Sequence, residues 1–114
     1  YLDVQMAAGS RFVVPAELAE RAVYSLGGDL QVDGIRYPSE TLLILTPGQT
    51  VELSALYGTR MLVFGGEPLD GPRHLWWNFV SSRRDRIEQA KQDWQAGRVG
   101  AVPGETEWIP LPEA

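Results

Sequence analysis

The chain has 114 residues and a formal net charge of −5, with 44% apolar residues and no cysteine. This length suits one domain with one core, and the negative charge argues against direct nucleic-acid binding, which needs clustered positive charge. The lack of cysteine excludes disulfides and thiolate metal sites. It also fits a reducing compartment, so we expect a cytoplasmic protein. We expect no membrane span.

Residues 1 to 66 carry the pattern of many short strands. YLDVQM alternates apolar and other residues with a period of two, as a half-buried strand does. The runs RFVV, RAVYSL, DLQV, IRY, TLLILT, QTVELSALY and RMLVF follow, and Gly or Pro separates most of them. Asp33-Gly34 predicts a type I′ hairpin, because both central positions of that turn need positive φ. The pattern predicts an all-β sandwich or small barrel.

The stretch HLWWNFVSS, residues 74 to 82, contains the one histidine of the chain. Its alternation predicts a single strand, with His74 and Trp76 on one face and Trp77 and Phe79 on the other. Aromatic rings on opposite faces cannot form one stacking platform, so packing is favoured over ligand stacking here.

Residues 82 to 96 change to a helical period. Ser82 is the expected N-cap, and Asp85 stands three residues later, where its carboxylate can close a capping box. Gly97 is the expected C-terminal stop. The tail TEWIPLPEA carries two prolines and reads as an extended arm that lies against another part of the protein.

His74 is the first candidate for chemistry, but a strand histidine bonded to backbone or solvent is the preferred interpretation. A histidine-based metal site needs more than one imidazole or several converging carboxylates, and no nucleophile motif accompanies His74. The arginines Arg83, Arg84 and Arg86 could attract an anion or an acidic partner. A solvated helix face with an Arg84–Glu88 pair explains them more simply.

Several motifs, taken in order, resemble the C-terminal half of pirin-family proteins, which are bicupins. They are the AVYSLGGDLQVDG hairpin, GGEPL (Gly65, Gly66, Glu67, Pro68), WWNFVSS (including Trp76, Trp77, Asn78 and Phe79) and the helix RDRIEQAKQDWQAGR with Trp94. The resemblance covers most of the chain from about residue 9 to 112.

The resemblance implies an all-β, cupin-type double-stranded β-helix (a jelly-roll barrel) with one C-terminal α-helix and an extended C-terminal arm. We expect a single C-terminal cupin domain over 1–114, with strands over about 1–80, a helix over about 82–96 and a tail over 97–114. The strand-like start at Tyr1 leads us to expect part of a longer protein whose N-terminal cupin is absent from this chain.

In the family, the N-terminal cupin holds iron or a similar metal through three histidines and a glutamate. Where a metal-binding cupin carries His-x-His, this chain has VVPAELAERAVY, and where a later histidine would follow TPGQ it has TVELSA. No family ligand therefore transfers to a residue here. We expect no catalytic, cofactor or metal residue in this chain, and the implied iron belongs to the N-terminal cupin.

The resemblance implies a metal-free structural or interaction domain that is not an enzyme by itself. The intact protein would be a metal-dependent quercetin 2,3-dioxygenase or a redox-responsive regulator. The expected partners are the N-terminal cupin and, for the isolated chain, further copies in a homo-oligomer. Two alternatives remain: a metal-independent cupin that binds a small apolar ligand in its barrel, and an enzyme that uses His74 with carboxylates brought together by folding.

Overall fold

The computed structural model describes residues 1–113. Turns separate its strands and its helix. The strands are β1 Leu2–Met6, β2 Arg11–Val14, β3 Glu20–Gly27, β4 Leu30–Val32, β5 Ile35–Tyr37, β6 Leu42–Ile44, β7 Val51–Ser54, β8 Thr59–Gly66, β9 His74–Trp76 and β10 Phe79–Ser81. The helix is α1, Arg84–Gln95. No helix over residues 1–113 is long and apolar enough to cross a membrane.

Eight strands form two antiparallel sheets of four. The first sheet has the order β1-β8-β3-β6 and the second has the order β2-β7-β4-β5, while β9 and β10 form a separate pair. Non-consecutive strands are neighbours in both four-stranded sheets, as in a jelly roll. The strands and helix fall in two compact units, one ending at Pro68 and the other beginning at Leu69. The all-β prediction with one C-terminal helix is confirmed.

The core of the first unit is a single cluster of buried apolar side chains. Every second residue of a strand points to the same face, so each strand supplies few members. The cluster consists of Met6, Val14, Val23, Leu30, Leu45, Leu53, Ala55, Met61 and Val63.

The turn between β4 and β5 is the predicted Asp33-Gly34 hairpin. Both residues have positive φ, 50° and 77°, and Val32 pairs with Ile35 across the turn. This is the geometry of the type I′ turn.

The single strand expected over residues 74 to 80 is wrong, because the chain reverses at Trp77 and Asn78. Trp77 has a φ of 50°, and Trp76 pairs with Phe79 in the antiparallel β9–β10 hairpin. Directly opposed residues lie on one face of a sheet, so these two rings share a face. The sequence pattern continues through this two-residue turn without a break, so the pattern alone does not reveal the reversal.

The helix begins two residues later than predicted. The N-cap position is Arg83, with no side-chain cap bond, so the Ser82 cap and the Asp85 capping box are wrong. Ser81 Oγ accepts a hydrogen bond from the Arg83 amide at 3.2 Å, and the Arg83 side chain pairs with Asp85. Gly97 takes a φ of 68° and donates its amide to the Trp94 carbonyl, which confirms it as the C-terminal stop.

The strands β3 and β8 approach closely where Arg21 lies opposite Gly65. A Cβ atom at Gly65 would lie 3.1 Å from the Arg21 Cα and still nearer to the Glu20 carbonyl oxygen. At Gly66, the next residue, a Cβ atom would meet nothing within 4 Å. The two glycines of the GGEPL run therefore differ, since the backbone excludes a side chain only at Gly65.

The Arg21 side chain ties two loops together beside this contact. It is only 5% exposed, and its guanidinium donates to the Pro15 carbonyl and, at 2.7 Å, to the Thr46 carbonyl. Pro15 follows β2 and Thr46 follows β6, so the arginine joins the segments that leave the two sheets. Because Gly65 has no side chain, the stem of the Arg21 side chain fits beside it.

We predict that Gly65→Ala lowers the free energy of unfolding by about 1–3 kcal/mol, the usual cost of overpacking. Gly66→Ala is the matched control and should change it by no more than about 0.5 kcal/mol, as at other open surface positions. Urea unfolding of the two variants measures both values. Equal effects of the two substitutions would contradict the steric argument.

Candidate interaction surface

The outer face of the first sheet is apolar, although it faces away from the core. Val23 of β3 is fully buried in the core cluster. Its chain neighbours Ala22 and Tyr24 therefore point to the opposite side of the sheet.

The strand register extends this outer face into two apolar rows. Ala22 lies opposite Phe64 on β8 and Ile44 on β6. Tyr24 lies opposite Leu62 and Leu42 on the same two strands. We call these side chains the apolar face, and they are Ala22, Tyr24, Leu42, Ile44, Leu62 and Phe64.

Part of the apolar face is strongly exposed within the chain. Ile44 is 75% exposed, Leu42 51% and Phe64 37%. An antiparallel sheet with one face in water usually places polar residues on that face. A continuous apolar patch in that position is typical of a surface that another molecule or domain covers.

The apolar face has a depression where the small Ala22 stands between Phe64 and Ile44. A cavity of about 480 Å³ opens there, and Gly66 and Pro47 also line it. The order of large, small and large side chains across three strands creates this shape.

A charged pair borders the apolar face on β1. Asp3 lies opposite Leu62 and accepts a hydrogen bond from Arg60 Nε at 2.9 Å. The hydrogen bond from the Arg60 guanidinium lowers the pKa of the Asp3 carboxyl below its usual value. An apolar centre with a polar rim is the usual anatomy of a protein interface.

The first four residues of the GGEPL motif lie at the end of β8 and beyond it. Gly65 and Gly66 close the strand, and Glu67 and Pro68 are exposed residues after it. Only Gly65 and Gly66 line a cavity beside the apolar face.

Four aromatic residues of the second unit pack on one another. The Trp77 ring centroid lies 5.6 Å from that of Phe79 and 5.2 Å from that of Trp94, both edge to face. The Trp76 and Phe79 rings stack at 6.3 Å. The expectation that these rings occupy opposite faces of one strand is wrong, because the hairpin brings them together, while Asn78 stays exposed in the turn.

The C-terminal tail contacts this cluster. Trp94 Nε1 donates a hydrogen bond to the Ile109 carbonyl at 2.8 Å. The predicted arm therefore lies against the helix at this point.

His74 is half-buried at the start of β9, in a cleft of about 250 Å³. Glu88 is the one carboxylate that lines this cleft. Over residues 1–113 there is no group of three or more His, Cys, Asp and Glu side chains that could hold a metal ion. The donors of this chain therefore do not fit the iron site of a metal-binding cupin, which uses three histidines and a glutamate.

The predicted Arg84–Glu88 pair is wrong. Glu88 instead accepts a hydrogen bond from Lys91 at 2.9 Å. Arg83 is bound to Asp85, and this hydrogen bond lowers the pKa of the Asp85 carboxyl below its usual value. The arginine run of the first helical turn thus contains one arginine that is already paired.

Two four-stranded antiparallel sheets around one apolar core fit a cupin-type domain, and comparisons with known proteins agree. The family model of the pirin C-terminal cupin domain matches residues 1–100. The chain belongs to the pirin family and corresponds to its C-terminal cupin domain.

The similar proteins named here are much longer than this chain. A "Pirin-like protein" of Caulobacter vibrioides is 44% identical over 99% of this chain and 39% of its own length. A protein of Pseudomonas aeruginosa named "Putative quercetin 2,3-dioxygenase PA2418" is 36% identical over 84% of this chain and 34% of its own length. The chain thus spans between one third and two fifths of these relatives.

The fold also matches a solved structure. A crystal structure of quercetin 2,3-dioxygenase from Acinetobacter baumannii superposes with a TM-score of 0.82 at 26% identity. The match covers 98% of this chain and 40% of that one.

Proposed function

We propose that this chain is the non-metal C-terminal cupin of a longer pirin-family protein, and that its apolar face packs on the N-terminal cupin. The observation that carries the proposal is the exposed apolar face itself. A domain that worked alone in water would gain from polar residues at Leu42, Ile44 and Phe64.

The lengths of the relatives support an occupant from the same polypeptide. Each has more than half of its sequence outside the region that matches this chain. A covalently joined domain binds at high effective concentration, so a modest apolar contact is enough to hold it.

Any metal chemistry of the intact protein belongs, in this proposal, to the N-terminal cupin. The supporting observation is the donor set: one histidine, no cysteine and one carboxylate beside His74. Iron in the other cupin would then supply a quercetin dioxygenase activity or a redox-responsive regulatory role. The chain described here contributes packing and shape, and no reaction step.

The substitution Ile44→Lys tests the packing proposal by comparing two contexts. In the full-length protein it should lower the free energy of unfolding by about 2–4 kcal/mol, because the interface would bury an unpaired charge. In the isolated monomeric chain the same change should cost less than about 0.5 kcal/mol, since the site is exposed. Chemical unfolding of both forms gives the two values.

Ile35→Lys is the matched control. Ile35 is 58% exposed and lies on β5 of the second sheet, away from the apolar face. This variant should behave alike in the two contexts. If Ile44→Lys also costs the same in both, the apolar face does not pack on the N-terminal cupin.

Without its partner domain the apolar face should drive self-association. We therefore predict dimers or larger oligomers of the isolated chain at high concentration, measured by light scattering. Ile44→Lys should shift the population to monomers, whereas Ile35→Lys should leave it unchanged. A monomeric wild-type chain at high concentration would show that the face does not cause association.

A second candidate function is the binding of a small apolar ligand. The cavity of about 480 Å³ over Ala22 favours it, since this volume lies in the usual range for small-molecule sites. This cavity is on the outer face, whereas the space between the sheets is filled by the core cluster.

A thermal-shift screen with flavonoids and organic acids tests this candidate. A ligand at the cavity should raise the melting temperature, and Ala22→Leu, which fills the depression, should abolish the rise. Absence of any stabilising compound, or a rise that survives Ala22→Leu, would count against a ligand at this site.

A further inference from the structure

The cleft beside His74 is built from one face of α1 and the strand β9. Arg84, Ile87, Glu88 and Lys91 are three or four residues apart along the helix, so their side chains share a face. They line the cleft together with three residues of β9, which are His74, Leu75 and Trp76. Ile87 is buried and provides an apolar floor.

Two of the charged groups in the cleft already have partners. The Lys91 ammonium bonds to Glu88 at 2.9 Å and lies 4.3 Å from the centroid of the Trp76 ring. These contacts hold the lysine against the aromatic ring. The one carboxylate of the cleft is therefore already occupied by a cation.

Arg84 is a second cation in the same cleft. Among residues 1–113 no carboxylate lies within ion-pair distance of its guanidinium, although Arg83 and Arg98 each have an aspartate partner. The cleft thus has a positive balance in a chain whose net charge is −5. A local excess of cations against the overall charge favours an anionic ligand.

We propose that this cleft binds a small oxyanion, a phosphate or a carboxylate, between Arg84 and His74. The flat guanidinium fork can bond to two oxygens of either group, and an imidazole N–H can bond to a third. Lys91 adds its positive field, and Ile87 provides an apolar contact. The volume of about 250 Å³ is enough to hold a small oxyanion. This binding site goes beyond the packing function proposed above and does not depend on it.

His74 makes the test direct, because it gives the only histidine ring signals of this chain in a proton NMR spectrum. We expect these signals to shift saturably when inorganic phosphate or succinate is added at fixed pH and ionic strength. Sodium chloride at the same ionic strength should leave them unchanged. Saturation by phosphate alone identifies a phosphate site, and saturation by succinate alone identifies a carboxylate site.

Arg84→Gln should raise the dissociation constant by about tenfold or more, since it removes the charged fork. Arg86→Gln is the matched control, because Arg86 is exposed in the same helical turn but does not line the cleft. It should change the dissociation constant by less than about twofold. Three results would overturn the proposal: no saturable shift with either anion, an equal shift with chloride, or equal weakening by the two substitutions.

Discussion

Strand β3 carries apolar side chains on both of its faces, and much of the first unit depends on this. One face contributes Val23 to the core, while the other carries Ala22 and Tyr24 between β8 and β6. A central strand of this kind gains stability by burying both sides. On the outer side Ala22 is buried between its larger neighbours, but Ile44 and Phe64 beside it stay exposed, so this side remains available to a partner. The same short segment, ERAVYSLG, thus contributes both to the core of the first unit and to the apolar face that a partner could cover.

The contact between β3 and β8 also explains why a family-signature glycine stands where it does. Arg21 needs space beside β8, since its guanidinium must reach carbonyls on two separate loops. Gly65 provides this space by lacking a side chain. Removing the charged guanidinium of Arg21 from water costs desolvation free energy. The bonds to Pro15 and Thr46 offset part of that cost and tie the two loops together, while Arg21 Nε is buried without a hydrogen-bond partner among the described residues.

The sequence allowed the strands and turns to be predicted because these depend on local chemistry. Asp33-Gly34 specifies its turn through backbone φ alone, and Gly97 ends the helix for the same reason. The reversal at Trp77 was missed because tryptophan is an unusual residue for positive φ. The position of the apolar face could not be predicted because it depends on which residues become neighbours across strands. The apolar residues of RAVYSL, which occupy both alternating sets of positions, were the available signal.

One candidate surface is apolar and the other is charged, so salt should affect binding at the two surfaces differently. The apolar face would gain its free energy from the removal of water, which moderate salt leaves almost unchanged. The cleft of Arg84 and His74 would attract its ligand through charge, which salt screens over about 8 Å at physiological ionic strength. Raising the salt concentration should therefore weaken anion binding and preserve domain packing. The apolar face and the cleft belong to different compact units of the chain.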